Sequence, residues 1–160
     1  MSDINGAIVH PLADVATGAA IGSGTRIWQF AVIMAGARIG FDCNVCAHTL
    51  VEGAVVIGDR VTIKSGVYLW DGLIVEDDVF LGPACVFTND RSPRSRDRKP
   101  YAKTLVQRGA SIGAGAVILP GLTIGANAMI GAGAVVTKSV PAGQTWWGNP
   151  ALHTGRIQRP

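Results

Sequence analysis

A chain of 160 residues is long enough for one domain, and 48% hydrophobic but only 6% aromatic residues suit a narrow core of small aliphatic side chains. The net charge of +3 is concentrated in one segment, which leaves the remainder near neutral and argues against nucleic acid as a partner. The sequence has no apolar run of membrane-spanning length and no secretory leader, so we expect a cytoplasmic protein without a membrane span.

A six-residue repeat begins at Val9, and an aliphatic or aromatic residue then recurs at every sixth position as far as Phe87. The residue two places before most of these positions is small or branched. This period is typical of a parallel β-helix, in which positions i and i−2 of each short strand point inward. It does not fit an amphipathic helix, because six is not a multiple of 3.6. The sequence therefore predicts an all-β solenoid of about seven coils, each built from three strands.

The segment "CNVC" at residues 43–46 has the spacing of a redox or zinc motif. In the six-residue register Cys43 points inward and Cys46 points outward, so their side chains leave opposite sides of one strand. We interpret both cysteines as structural and predict no metal. The glycine-rich segments lack a P-loop or dinucleotide-binding signature, and we assign their glycines to turns.

Two polar segments, "LWDG" at residues 69–72 and "FTND" at residues 87–90, lie one predicted coil apart. The register stacks Asp71 over Asn89 at a spacing of about 5 Å, with Asp90 at the same corner. Two interpretations stay open. The cluster is either a ladder of side chains that caps turns or a polar site that orients a nucleophile.

The repeat is interrupted once, because Val106 resumes it 19 residues after Phe87 instead of six. The insertion, at about residues 88–105, holds six of the 14 lysine and arginine residues. We predict a protruding basic loop whose partner is a small polyanion, with Arg91 and Arg94 suited to bidentate phosphate contacts. A disordered, solvated loop is the alternative.

The predicted positions of His48 and Asn89 suggest a shared site between subunits. The two residues lie on different corners, two coils apart, and a strand is roughly 17–20 Å long. If both serve one site, they must come from neighbouring chains. The bulky outward residues Trp28, Phe30 and Trp70 also favour an interface or a stacked ligand. We therefore expect a homotrimer with three clefts between subunits.

The repeat "IGAGAVILPGLTIGANAMIGAGAVV" at residues 112–136 resembles the left-handed β-helix acyltransferases, which are trimers that use acetyl-CoA. The segments "IWQF", "IKSGVYLWDG" and "FTNDRSPRS" are similar to the N-acetyltransferases of nucleotide-linked 3-amino sugars. Similarity is greatest to the dTDP-3-amino-3,6-dideoxyhexose 3-N-acetyltransferases, because the related UDP-3-amino-glucuronate branch lacks a histidine where His48 stands. The resemblance implies that the β-helix is left-handed. We expect one domain at residues 1–160, with residues 140–160 extending past the last coil.

The resemblance implies acetyl transfer from acetyl-CoA to the 3-amino group of the dTDP-linked sugar, for surface-polysaccharide biosynthesis. Asn89 and Asp71 would hold the amine. His48 would act as a general base or contact the nucleotide. A UDP-linked 3-amino sugar or a different small acyl acceptor is the alternative.

Further residues are expected to contact the two substrates. For the sugar nucleotide they are Trp28, Phe30, Trp70, Asp90, Arg91 and Arg94. For acetyl-CoA they are Ala114, Ala132, Arg108, Lys138, Trp147, Asn149 and Arg156. A trimeric scaffold without catalysis is one competing interpretation. A carbonic-anhydrase-like protein is another, although zinc needs about three histidines and those of this chain are spread from end to end.

Overall fold

The computed structural model describes residues 2–4, 6–97 and 99–154. In these ranges the chain forms short β-strands and no helix. The described residues therefore contain no helix that could cross a membrane. The strands are β1 (Ser2–Ile4), β2 (Ala7–Val9), β3 (Asp14–Val15), β4 (Ala20–Ile21), β5 (Arg26–Ile27), β6 (Val32–Ile33), β7 (Arg38–Ile39), β8 (Asn44–Val45), β9 (Leu50–Val51), β10 (Val56–Ile57), β11 (Thr62–Ile63), β12 (Tyr68–Leu69), β13 (Leu73–Val75), β14 (Phe80–Leu81), β15 (Val86–Phe87), β16 (Thr104–Val106), β17 (Ser111–Ile112), β18 (Val117–Ile118), β19 (Thr123–Ile124), β20 (Met129–Ile130), β21 (Val135–Val136), β22 (Thr145–Trp147) and β23 (Leu152–His153).

These strands form the three faces of a prism with about eight turns. The first face is a sheet in the order β1-β2-β5-β8-β11-β14-β17-β20-β22-β23. The second face runs β3-β6-β9-β12-β15-β18-β21, and the third runs β4-β7-β10-β13-β16-β19. Successive coils pair in parallel, while β1 and β23 add antiparallel strands at the two ends of the first face. The predicted parallel solenoid is confirmed.

The pairing register confirms the six-residue repeat and the size of the insertion. Tyr68 lies beside Val86, which is 18 residues later and therefore one coil away. Across the insertion, Phe80 pairs with Ser111, 31 residues later. The insertion therefore leaves the prism between β15 and β16, and it displaces neither the coil before it nor the coil after it.

The core is one continuous column of the predicted inward positions. Ile33, Ile63 and Ile124 have at most 1% of their surface exposed, and the threonines at inward positions are buried as well. Val15 and Ile21 are only partly buried. On the second and third faces their strands, β3 and β4, are at the end of the sheet and have a neighbouring coil on one side only.

Three columns of turns, or corners, join the faces of the prism. The histidine corner, between the first and second faces, consists of residues 10–12, 28–30, 46–48, 64–66, 82–84, 113–115 and 131–133. The loop corner, between the second and third faces, consists of residues 16–18, 34–36, 52–54, 70–72, 88–103, 119–121 and 137–139. The acidic corner, between the third and first faces, consists of residues 22–24, 40–42, 58–60, 76–78, 107–109, 125–127 and 141–143.

The segment after residue 140 continues the stack before it ends. Val140 bridges to Ile124 on the third face, and β22 pairs in parallel with β20 on the first. The boundary of the expected C-terminal extension therefore falls within a partial eighth turn.

Candidate functional site

The loop corner brings Asp71 and Asn89 to one small cavity, as the register predicts. Trp70 and Thr88 line it from the two coils, and Ala102 closes it from the returning end of the loop. The cavity has a volume of about 10 Å³, which is the size of a single water molecule. In this conformation the corner has room for a small polar group and none for a sugar ring.

The Asp71 carboxylate is held by the preceding coil. Its Oδ1 accepts a hydrogen bond of 2.8 Å from the backbone N–H of Ala54. The backbone N–H of Asp71 in turn donates to Oε2 of Glu52 at 2.7 Å. These two bonds fix the turn and the direction of the carboxylate, so the turn-capping interpretation of Asp71 is borne out as a structural role. That role leaves the second carboxylate oxygen for a ligand.

The basic loop is attached to the prism at both of its ends. At its C-terminal end, Thr104 accepts a bond from the Gly121 N–H through Oγ1 (3.0 Å) and donates its backbone N–H to Gly72 O (3.0 Å). At its N-terminal end, the Arg91 guanidinium donates to Pro120 O at 3.3 and 3.4 Å. Residues 92–103 lie between these two attachments.

The loop also carries an internal ion pair. Lys99 Nζ lies 3.0 Å from Oδ2 of Asp90 and 3.7 Å from Oδ2 of Asp97, and it donates to Ser92 O at 3.2 Å. The pKa of Asp90 is lowered, first by the hydrogen bond that its carboxylate accepts from the Ser92 N–H and then by the hydrogen bond from Lys99. Asp90 therefore organises the loop and faces Lys99 as well as the corner.

His48 lies on the histidine corner, and its ring stacks on Phe30. The ring centroids are 5.1 Å apart and the planes are inclined by 27°. Both residues have left-handed backbone angles, φ 58° for His48 and 61° for Phe30, so they occupy equivalent turn positions one coil apart. With Val32, Leu50 and Tyr68 they border an open pocket of about 240 Å³. His48 and Asn89 do lie on different corners, two coils apart, as predicted.

The tryptophans are less exposed than the sequence suggested. Trp28 is half-buried, and its indole N–H donates to Asn44 Oδ1 at 2.7 Å. Trp70 is half-buried too, with an edge contact to Tyr68 at a centroid distance of 6.1 Å. Phe30, by contrast, is 50% exposed. The expectation of exposed rings thus holds for Phe30 and is wrong for both tryptophans, because each finds a partner beside its own corner.

The cysteines follow the predicted register. Cys43 is buried and Cys46 is half-buried, on opposite sides of β8. Burial raises the pKa of Cys43, and it raises that of Cys85 to about 12. Within the described part of the chain, no three histidine, cysteine, aspartate or glutamate residues come together as a metal site.

The residues expected to contact acetyl-CoA fall on more than one corner. Ala114 and Ala132 lie on the histidine corner, and Trp147 lies beside Gly131 one coil later. Lys138 lies exposed on the loop corner. Asn149 follows β22, and Arg156 lies outside the described residues.

Arg108 is separated from this group. It lies on the acidic corner, where its Nη2 is 2.9 Å from Oδ2 of Asp77 and its backbone N–H donates to Glu76. An acidic partner on a third corner gives Arg108 a structural function that the sequence had not suggested.

Three residues that the sequence did not single out border these sites. Tyr68 is the ring on the outward side of the second face, and the register could have placed it there. Glu52 could have been found as a carboxylate one coil from Asp71. Lys99 could not, since its contacts depend on the path of the loop.

Comparisons with known proteins agree with this architecture. Residues 103–138 match the family described as bacterial transferase hexapeptide (six repeats), and residues 36–70 match the hexapeptide repeat of succinyl-transferase. The chain is 51% identical over 150 residues to dTDP-3-amino-3,6-dideoxy-alpha-D-galactopyranose 3-N-acetyltransferase of Aneurinibacillus thermoaerophilus, covering 93% of this chain and 78% of that enzyme.

Two solved structures share the fold. One is a GDP-perosamine N-acetyltransferase variant of Caulobacter crescentus in complex with CoA and GDP-perosamine. It has a TM-score of 0.59 and 28% identity, covering 94% of this chain and 57% of that one. The other is a hexapeptide-repeat acetyltransferase of Vibrio cholerae complexed with acetyl coenzyme A. It has a TM-score of 0.64 and 26% identity, covering 76% of this chain and 71% of that one. Because half of its residues are identical to those of a curated enzyme across most of both chains, this chain belongs to the hexapeptide-repeat acetyltransferase family.

Proposed function

We propose that this protein transfers the acetyl group of acetyl-CoA to the 3-amino group of a dTDP-linked 3-amino-3,6-dideoxyhexose. The observation that carries the proposal is the 51% identity to an enzyme named for this reaction, over 93% of the chain. The product is an amide sugar nucleotide for surface-polysaccharide biosynthesis. We further propose that the reaction takes place in the cytoplasm.

The chemistry requires alignment more than activation. The uncharged amine attacks the thioester carbonyl, a C–N bond forms and the C–S bond breaks, and its electron pair leaves with the sulfur of CoA. The proton that the nitrogen loses ends on that thiolate, which gives the free CoA thiol. Because a thiolate is a good leaving group, most of the rate comes from holding the amine against the carbonyl. In this proposal Asn89 and the free oxygen of Asp71 hold the amine at the loop corner, and Asp90 keeps the loop in place beside them. The water-sized cavity between them matches an amino group in size.

The distribution of outward residues on the three faces supports a trimer as part of this proposal. The outward residues of the first and third faces include charged and polar ones, such as Arg26 and Arg38. From the second coil to the seventh, the second face presents only apolar residues and one tyrosine: Val32, Leu50, Tyr68, Val86, Val117 and Val135. An apolar face of this length is suited to burial between subunits.

If the second face points to a threefold axis, its two edges meet the edges of neighbours. The histidine corner of one subunit then faces the loop corner of the next. His48, Phe30 and the Ala114 column would lie opposite Asn89, Asp71 and the loop of the neighbouring chain. Acetyl-CoA would run along the small residues of the histidine corner, with Lys138 of the neighbour and Trp147 at its far end. This arrangement leaves Arg108 outside the cleft.

The loop supplies cations for the phosphates of the sugar nucleotide. Arg94 is exposed, and within the described residues the hydrogen bond of its guanidinium is a local one, to Pro93 O at 2.9 Å, so the side chain can reach a phosphate. Arg91 is held by Pro120 O and therefore serves better as an anchor of the loop. The proposal consequently assigns the larger effect on sugar-nucleotide binding to Arg94→Ala.

The reaction is tested by measuring the release of CoA thiol with purified protein and acetyl-CoA. Three acceptors are compared: the dTDP-linked 3-amino sugar, its UDP-linked counterpart, and the free amino sugar. We expect the dTDP-linked sugar to give by far the highest kcat/KM. Equal rates with the free sugar would reject a nucleotide-sugar substrate, and a preference for the UDP-linked sugar would identify the alternative branch.

The assembly is tested separately by light scattering at micromolar concentration. We expect a trimer for the wild type and dissociation for Val86→Asp, which puts a charge in the middle of the second face. Val56→Asp, at the equivalent outward position on the third face, is the control and should stay trimeric. A fully active monomer would contradict the shared cleft.

A further inference from the structure

The histidine corner carries a single formal charge. Its seven turns are residues 10–12, 28–30, 46–48, 64–66, 82–84, 113–115 and 131–133, and they contain no lysine, arginine, aspartate or glutamate except Lys64. The acidic corner is different, because Arg60 lies within 3.9 Å of three aspartates and Arg108 is paired with Asp77. Lys64 is thus a cation on a corner that has no acidic residue.

Lys64 is also partly removed from water. Among the lysines and arginines that the structure describes, only Lys64 and Lys99 are half-buried, and the others are exposed. Lys99 compensates for its burial with Asp90. The ammonium of Lys64 has no hydrogen bond and no ion pair within the described ranges, although its aliphatic stem can cover apolar surface. A cation on a corner without an acidic residue is suited to pair with an anion from solution.

The surroundings of Lys64 point to the kind of anion. It lies on the coil after His48 and on the same coil as Tyr68. The pocket bordered by Phe30, His48 and Tyr68 opens at the same corner of the prism. Such a pocket accepts a flat ring, because aromatic side chains favour stacked or edge contacts. The next residue, Ser65, is exposed and adds a hydroxyl donor. A ring-lined pocket that shares its corner with a cation and a hydroxyl fits a nucleoside diphosphate.

We propose that Lys64, with Ser65, binds the diphosphate of a nucleotide whose base lies in the Phe30, His48 and Tyr68 pocket. The inference rests on the proposed function, which supplies two nucleoside diphosphates, the dTDP of the acceptor and the ADP moiety of CoA. Lys64 forms the wall of the cleft that faces Arg94 of the neighbouring chain. The diphosphate is then held by cations from two subunits.

The test measures the binding of dTDP and of coenzyme A to the intact protein by titration calorimetry. Lys64→Gln removes the charge and keeps a polar side chain, and Lys64→Arg keeps the charge. Arg38→Gln is the matched control, because it removes one exposed cation from the third face. Loss of a charged hydrogen bond should weaken the affected probe roughly 10- to 100-fold in Lys64→Gln. The arginine variant should recover most of the affinity, and the control should change neither Kd by more than about twofold.

The two probes identify the source of the diphosphate. Weaker binding of dTDP alone assigns Lys64 to the acceptor nucleotide, and weaker binding of coenzyme A alone assigns it to the acetyl donor. Unchanged Kd values for both probes in Lys64→Gln, or no binding of either probe to the wild type, would overturn the proposal. Failure of the proposed reaction would appear instead as a lack of CoA release by the wild type, with the binding results still interpretable.

The melting temperature without ligand separates this role from a structural one. Because the ammonium of Lys64 has no partner within the described residues, Lys64→Gln should keep its Tm within about 2 °C of the wild type. A fall of many degrees, together with loss of both ligands, would mean that Lys64 supports the fold, and the proposal would be wrong.

Discussion

The carboxylate of Asp71 accepts a hydrogen bond from the backbone N–H of Ala54, one coil earlier, at 2.8 Å. The acidic corner contains a similar bond, from the N–H of Phe41 to Oδ1 of Asp59 at 2.9 Å. A carboxylate that ties adjacent turns is therefore a recurrent structural device in this protein. What distinguishes Asp71 is its position beside Asn89, and this difference can be tested.

We expect Asp71→Ala and Asn89→Ala each to reduce kcat by about 100-fold, the scale of lost orientation of a reacting group. Asp59→Ala removes an equivalent tie far from the cavity and is the control for stability. It should lower the Tm about as much as Asp71→Ala and leave kcat unchanged. Steady-state kinetics and thermal unfolding of the three variants check this prediction. Equal kcat values for all three variants would contradict it.

The contact between His48 and Phe30 defines the second prediction. A general base would make His48→Ala lower kcat and change its pH profile. A residue that contacts the nucleotide would raise KM for the sugar nucleotide and leave the pH profile of kcat unchanged. Because the ring is stacked in the pocket beside Lys64, we expect the KM effect. Phe30→Leu should act in the same direction, and a kcat effect confined to His48→Ala would favour the general base.

The fold was predictable because a narrow prism imposes a strict rule on its sequence. Each coil must fill the same small cross-section, so inward positions recur every six residues and can be counted. Thr25 and Thr49 obey the register despite their hydroxyls, since each hydroxyl donates to a backbone carbonyl at 2.7 Å. The register also placed Asp71 over Asn89, because a stacked strand fixes the position of the turn that follows it.

The core register gives the third prediction. Ile124 is fully buried on the third face, and Thr123 precedes it on the outward side of β19. Ile124→Asp should cost several kcal/mol, comparable with the whole stability of a domain, because the prism is too narrow to hydrate a carboxylate. Thr123→Asp should melt close to the wild type. Circular dichroism melting and the yield of soluble protein check the pair. Similar melting of both variants would contradict the assigned register.

The cysteines provide the fourth prediction. Burial raises the pKa of Cys85 to about 12 and also raises that of Cys43, so at pH near 8 both exist almost entirely as unreactive thiols. Cys46 is half-buried, and we expect it alone to react with a disulfide reagent in the native protein. All three cysteines should react after unfolding. Cys46→Ser should abolish the native reaction, and a Cys43–Cys46 disulfide would contradict the opposite directions of their side chains.

The loop was the least predictable part of the molecule. Its length and charge follow from the interrupted repeat, but its contacts do not, because no repeating neighbour fixes its path. Arg91 was assigned to phosphate from its chemistry alone, whereas in the structure it bonds to Pro120 O on the coil after the one from which the loop leaves. Trp28 shows the same limit, since the register gives its direction and not its bond to Asn44.

The last prediction concerns the ion pair between Asp90 and Lys99. The Ser92 N–H, and then Lys99, lower the pKa of Asp90, so its contribution is complete above the ordinary value of 3.8 and is lost as the pH falls through the lowered pKa. The hydrogen bond to Asp90 raises the pKa of Lys99, whose contribution is complete below 10.5 and is lost as the pH rises through the raised pKa. The pair should therefore hold the loop fully between pH 3.8 and pH 10.5.

Hydrogen exchange of residues 91–97, corrected for intrinsic rates, measures this opening. We expect slow exchange across the neutral window and faster exchange below 3.8, as Asp90 becomes protonated. Asp90→Asn should show fast exchange at every pH, because the amide cannot pair with the ammonium. Asp97→Asn is the control, since its carboxylate is exposed and lies farther from Lys99, at 3.7 Å. If Asp90→Asn and wild type exchange alike at neutral pH, the ion pair does not organise the loop, and the ties of Arg91 and Thr104 to the prism are sufficient to hold it.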